Sequence, residues 1–241
     1  MKKVQLTLLA IFSLFALSAE ARIDPEIQES KKCSSMFSYF EKRYNLPKDT
    51  LHSVSLQETQ KSHSKHKIGL VWPWTINSKG KGYHFKSKTE AITFAKAQIA
   101  SGNRSIDIGC MQVNLKYHPD AFSSVEQAFS PRKNIAYAAK LLKDHYNKTK
   151  DWNKAVGLYH SGTESKAKPY RTNVSKISNS MPSYKQSLHN YTYDPKYNKN
   201  STQKDLDKAT KKRSKPKYLG LGKVEVRVGT LKDNNWFRKV Q

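Results

Sequence analysis

The run Leu51-His-Ser-Val-Ser-Leu-Gln-Glu-Thr59 carries a carboxylate where a helix is expected to carry an apolar residue. At about 100° per residue, Leu51, Val54, Ser55 and Glu58 share one helical face, so the stripe that turns into the protein ends in Glu58. Burial disfavours a charged carboxylate and raises its pKa from about 4.3. A carboxylic acid that keeps its proton near neutral pH can hand it to a leaving group. The plainer expectation is that a Glu at a helix end curls out to water.

Other residues bear on the same chemistry. Gln112 and Asn114, in Gly109-Cys-Met-Gln-Val-Asn114, offer amide donors and acceptors that could bridge polar groups of a ligand or satisfy turn backbone. Asp107 is the nearest other carboxylate and reads as a turn residue that bonds backbone N–H groups. Trp72 and Trp74 could stack on a ligand, with packing of the hairpin at least as well supported. His63 and His66 have ligand-like spacing but lie in a Lys/Ser-rich loop with no carboxylate or thiol near them in sequence, so no metal site is expected.

The elements that must position these groups read as mainly helical. Apolar spacing predicts a helix over 34–44, ended by Asn45-Leu-Pro47, and a second over 48–60 with Asp49 in its first turn. Residues 68–76 read as a strand, with Pro73 marking an edge or an interruption. Residues 77–82 are turn chemistry, and 83–85 return as a second strand. Ser87-Lys-Thr-Glu90 is a capping box that opens a helix to Ala100, with Gly102 just past its end. A third short strand is expected over 105–109. Helices follow over 125–129, 132–146 and 152–159, the last with Asp151 as N-cap, and one or two further turns over 168–177.

Lys2 and Lys3, an apolar run to Leu17 and Ala19-Glu-Ala21 make residues 1–21 a signal peptide, which implies an exported chain, periplasmic or secreted. Residues 22–180 suffice for one domain with its own core. Residues 181–241 hold 15 Lys and Arg against 5 Asp and Glu with few apolar side chains, and read as a mostly flexible basic tail. A formal net charge of +25 suits polyanions. In an exported chain this favours anionic envelope polymers, such as a cell-wall surface reached through the tail, or lipid head groups over nucleic acid. Cys33 and Cys110 could form a disulfide or stay as buried thiols.

Three segments in order carry a resemblance. Leu56-Gln-Glu-Thr59, Gly109-Cys-Met-Gln-Val-Asn114 and Ala155-Val-Gly-Leu-Tyr-His-Ser161 resemble the motifs of the soluble-type lytic transglycosylases, relatives of goose-type lysozyme. Trp72-Pro-Trp-Thr-Ile-Asn77 and Ser105-Ile-Asp-Ile-Gly109 resemble one subgroup of them. The resemblance covers about residues 33–175. It implies an α-rich α+β, lysozyme-like fold with a small hairpin, and cleavage of the β-1,4 bond between N-acetylmuramic acid and N-acetylglucosamine.

By the same resemblance Glu58 is the general acid and base, and Tyr159 approaches it. Thr59, Met111, Gln112, Asn114, His160 and Ser161 contact substrate. The family commonly has Ser and Gly where this chain has Thr59 and Gln60. No cofactor is implied. The expected partners are peptidoglycan glycan strands, met as a monomer; service to a secretion or conjugation apparatus stays open. The alternatives are a muramidase that hydrolyses the same bond, and a weakly catalytic wall-binding or assembly protein.

Overall fold

Proline and asparagine set the first boundaries. The computed structural model describes residues 23–192, so the expected leader at 1–21 and most of the expected tail lie outside the described residues. Helix α1 (Pro25–Ser34) starts with Pro at its first position, and Asp24 caps it by accepting from the N–H groups of Glu26 and Ile27. The sequence reading did not anticipate this helix. Helix α2 (Phe37–Tyr44) stops where expected, because Asn45 turns left-handed at φ 52°.

Helix α3 (Thr50–Thr59) buries eight of its ten residues, Glu58 among them. It is therefore a core helix rather than a two-faced surface one. Its first N–H groups are satisfied from outside: Glu41 of α2 accepts from Leu51 N at 2.8 Å and Asp49 N at 3.1 Å. Asp49, expected to act in the first turn, is instead a left-handed N-cap at φ 68° whose carboxylate makes no capping bond.

The strand expected over 68–76 is two pieces. Strand β1 (Lys61–Ser62) pairs with β2 (Gly69–Leu70), and Pro73 lies in the gap before β3 (Thr75–Ser78). Strand β4 (Lys81–His84) closes the hairpin at Lys79-Gly80, where both residues have positive φ. With β5 (Ile106–Ile108) and β6 (Val113–Asn114) the antiparallel sheet runs β4-β3-β5-β6, so β3 is internal and the expected three strands are four.

Helix α4 (Lys88–Ala100) opens on the expected box: Ser87 Oγ accepts from Glu90 N, while Glu90 reaches back to Lys86 N. After α5 (Val125–Ala128) come α6 (Pro131–Thr149) and α7 (Trp152–His160), the latter capped by Asp151 as expected. Helix α8 (Glu164–Asn179) is far longer than one or two turns.

Helix α9 (Met181–Thr192) carries ordered structure past residue 180, where the tail was expected to begin. Met181 and Thr192 are buried, Tyr184 donates to Gly69 O, and Asp24 N donates to Thr192 O. A helix that closes back on α1 belongs to the folded body, whatever its polar composition.

The architecture is α-rich α+β. One apolar core joins α2, α3, α6, α7 and α8 around Leu51, Val54, Ile135 and Leu142. The other lies under the sheet, around Ile76, Ile106, Ile108 and Ala91. Cys33 and Cys110 form a disulfide with Cα atoms 5.9 Å apart. No helix among the described residues is long and apolar enough to cross a membrane.

Candidate active site

Glu58 sits in the last turn of α3 and is only 7% exposed, so the carboxylate does turn inward. Its Oε1 accepts from the hydroxyl of Tyr170, on α8, at 2.8 Å. Tyr159, the expected neighbour, instead donates to the carbonyl of Met111 at 2.7 Å. Tyr159 is still close electrostatically. Its phenol is held well above the usual range by burial first and then by the charges of Glu58 and Asp107. Tyr170 is shifted the same way, by burial first and then by Glu58 and Tyr159. Both phenols are therefore O–H donors at every working pH.

Tyr170 is the residue that sequence reasoning missed. With Ala167 and Val174 it forms a buried stripe at helical spacing, and such a stripe reads as core. His160 stacks flat on Tyr170, with ring centroids 4.5 Å apart and planes within 2°. It therefore touches the ring that holds Glu58.

The turn between β5 and β6 is held on three sides. Gly109 has φ 81°, and a Cβ there would meet Asn134 Nδ2 at 2.8 Å, so only glycine fits. Asn134 accepts from Met111 N and donates to Ile108 O and Ala128 O. Ser55 of α3 donates to Cys110 O at 2.7 Å, tying the turn to the helix of Glu58. Gln112 follows with φ 48°, and its Nε2 donates to Thr75 O and Gly109 O. Its buried Oε1 has no hydrogen-bond partner among the described residues.

The remaining expected site residues divide. Thr59 is fully buried, and its hydroxyl bonds Ser55 O and Leu70 O, so it braces α3 against β2 and is out of reach of a sugar. Met111 is 0% exposed and packs in the core. Asn114 accepts from Lys116 N and Tyr117 N and donates to Asp107 at 2.9 Å, which serves the turn and the carboxylate together. Ser161 ends α7 and its hydroxyl accepts from Thr163 N. Gln60 leaves the helix in a left-handed conformation at φ 43°, a geometry glycine adopts more readily.

Three expectations about neighbouring residues change. Asp107 is not a turn residue but lies within β5, 6% exposed, bonded to a side-chain amide. Trp72 and Trp74 are buried, their N–H groups given to Phe85 O and Glu29, which is packing and not a sugar platform. His63 and His66 do have a carboxylate beside them. Asp24, distant in sequence, brings ligand-capable atoms of all three within 4.8 Å of one another. Yet His63 Nδ1 accepts from Lys65 N and His66 N, so the neutral ring keeps its proton on Nε2, 3.0 Å from Asp24 Oδ2. A ring ligating through Nε2 needs the opposite tautomer. With Asp24 and His63 buried and His66 half-buried, the trio fixes the 61–70 loop to the start of α1.

Residues 35–181 match the family described as the transglycosylase SLT domain. No curated protein and no solved structure matched the chain.

Proposed function

Since the chain belongs to the transglycosylase SLT domain family, whose members act on peptidoglycan outside the cytoplasm, we propose that it is an exported lytic transglycosylase. In this reading it cleaves the N-acetylmuramic acid–β-1,4–N-acetylglucosamine bond and leaves 1,6-anhydro ends. The observation that carries the proposal is the inward Glu58 bonded to Tyr170 at the end of a core helix.

Protonated Glu58 gives its hydrogen to the glycosidic oxygen as the bond to the muramic acid anomeric carbon breaks. The carboxylate left behind takes the proton of the muramic acid 6-hydroxyl, whose oxygen closes on the anomeric carbon. Glu58 is thereby restored and no water is consumed. Tyr170 supports both halves: its hydroxyl steadies the anionic form and fixes the direction in which the carboxyl faces. Gln112 and Asn114 act through the turn they hold, their amide N–H groups being given to Thr75 O, Gly109 O and Asp107. Residues 1–21 export the chain, and the basic residues beyond 192 hold it to the anionic wall.

Purified sacculi test the assignment. Wild type should release muropeptides that lack one water relative to hydrolysed products. Glu58→Gln should lower release by at least about a thousandfold while wall binding persists, since a general acid and base is lost from both steps. Products with reducing ends would identify a muramidase instead. An active Glu58→Gln variant would remove Glu58 from the mechanism.

A further inference from the structure

The last turn of α7 makes two contacts around Glu58. Tyr159 gives its hydroxyl to Met111 O in the turn between β5 and β6, and His160, the next residue, lays its ring on Tyr170 of α8. Small residues one turn earlier bring the two helices together. A Cβ at Gly157 would lie 3.2 Å from the Cβ of Ala167 and 3.4 Å from Arg171 Cδ, so a side chain there would press on α8. Gly157 and His160 stand at i and i+3 on α7, as Ala167 and Tyr170 do on α8, so each pair shares a helical face. Close approach at Gly157 and Ala167 thus sets the spacing at His160 and Tyr170.

The planes of the His160 and Tyr170 rings lie within 2° of each other, with centroids 4.5 Å apart. That spacing exceeds the about 3.5–4.0 Å of carbon atoms in contact, so the rings are offset, as aromatic pairs prefer. Tyr170 is 6% exposed and His160 half-buried. The Tyr170 hydroxyl lies on the axis of its ring, so a flip about Cβ–Cγ leaves it in place. A tilt of the ring instead swings it away from Glu58 Oε1, 2.8 Å distant. A flat partner against the face of the ring opposes that tilt.

We infer that His160 is a positioning residue: stacked on Tyr170, it holds the phenol where its hydroxyl reaches Glu58. The inference rests on the proposed function for the reaction it serves, and it differs from the substrate contact that the resemblance implies for His160. In this role His160 touches no reacting atom. Its effect passes through one hydrogen bond and vanishes when that bond is removed.

Kinetics and proton NMR of the purified protein test this together. On soluble glycan strands His160→Ala should lower kcat by about three- to tenfold, the rate equivalent of an aromatic pair, and leave KM within about twofold. His160→Phe, which restores a flat ring, should keep kcat within about twofold of wild type. In a Tyr170→Phe background, His160→Ala should change kcat by less than about twofold. The Tyr170 hydroxyl proton, assigned by its absence from Tyr170→Phe, should be in slow exchange with water in wild type and His160→Phe, and should exchange at least about threefold faster in His160→Ala. An unchanged kcat or an unchanged hydroxyl exchange in His160→Ala would overturn the inference, as would a wild type with no protected hydroxyl. So would a loss of kcat that persists in the Tyr170→Phe background, which means contact with the sugar itself, or one that Phe does not restore, which means chemistry of the imidazole. If His160→Ala unfolds, His160→Leu, which fills the space without a flat face, takes its place. A wild type that leaves glycan intact would sink the proposed function, and the hydroxyl exchange would still decide whether His160 holds Tyr170.

Discussion

At the scale of single residues, the hydroxyl of Tyr170 is coupled directly to Glu58 by a hydrogen bond. A hydrogen bond to a charged partner contributes about 1.5–3 kcal/mol, and each 1.36 kcal/mol of transition-state stabilisation is tenfold in rate. Tyr170→Phe should therefore lower kcat on glycan strands by about ten- to a hundredfold with little change in KM. Tyr159→Phe removes a bond to Met111 O instead; it should cost about 1 kcal/mol of stability and act mainly on KM. Steady-state kinetics and thermal unfolding of the two variants, side by side, check the assignment, and equal losses of kcat would show that the Glu58 bond is not special. The helical spacing of Glu58 from Leu51 and Val54 is local and raised the inward reading, but an outward curl was the plainer expectation and the resemblance decided between them. The Tyr170 contact spans 112 residues and ends on a position that reads as core, so no local pattern reveals it. Asp107 was misread for a related reason: its partners Asn77 and Asn114 become neighbours only once strands pair.

At the scale of elements, α3 is held at both ends by groups foreign to it. Glu41 closes its start, although burial pushes that carboxyl above its usual range against the two N–H bonds that pull it down. His84 and Ser55 hold its end to the sheet and the turn. The caps of α4 and α7 could be read from Ser87 and Asp151 because they act within one turn of chain. Glu41 could not, since it acts across two helices. The same helix stores an acid sensitivity. His52, 6% exposed between the rings of Phe37 and Tyr184, is pushed down to about 4, by burial first and then by Lys185, with Asp49 opposing. The unfolded chain binds a proton below about 6.5 that the folded chain refuses until about 4. Stability is thus complete above pH 6.5 and is lost as the pH falls through that window, by about 3 kcal/mol in all. His52→Phe keeps a ring in the gap and removes the titration. Its Tm should fall less than that of wild type between pH 7 and 4.5, and parallel curves would place the acid sensitivity in other groups.

At the scale of the molecule, the disulfide joins the first helix to the turn under the site across 77 residues of chain. Chain entropy assigns a closed loop of that length about 4–5 kcal/mol of stabilisation. It also couples the two ends of the described chain to the site, because α1 carries Cys33 and packs against α9. The local geometry does not depend on the bond alone. Ser55 holds Cys110 O, Asn134 holds Met111 N, and Gly109 fits against Asn134 whether or not the sulfurs are joined. Stability and catalysis should therefore separate on reduction. The Cys33→Ser/Cys110→Ser variant should unfold roughly 10 °C lower than the oxidised protein, given the ~2–4 °C that each kcal/mol moves a domain of this size. At 25 °C, where it is still folded by circular dichroism, it should keep muropeptide release within about threefold of wild type. A large loss of release with the fold intact would mean that the sulfur bridge, and not the hydrogen bonds of Ser55 and Asn134, sets the position of the turn that faces Glu58.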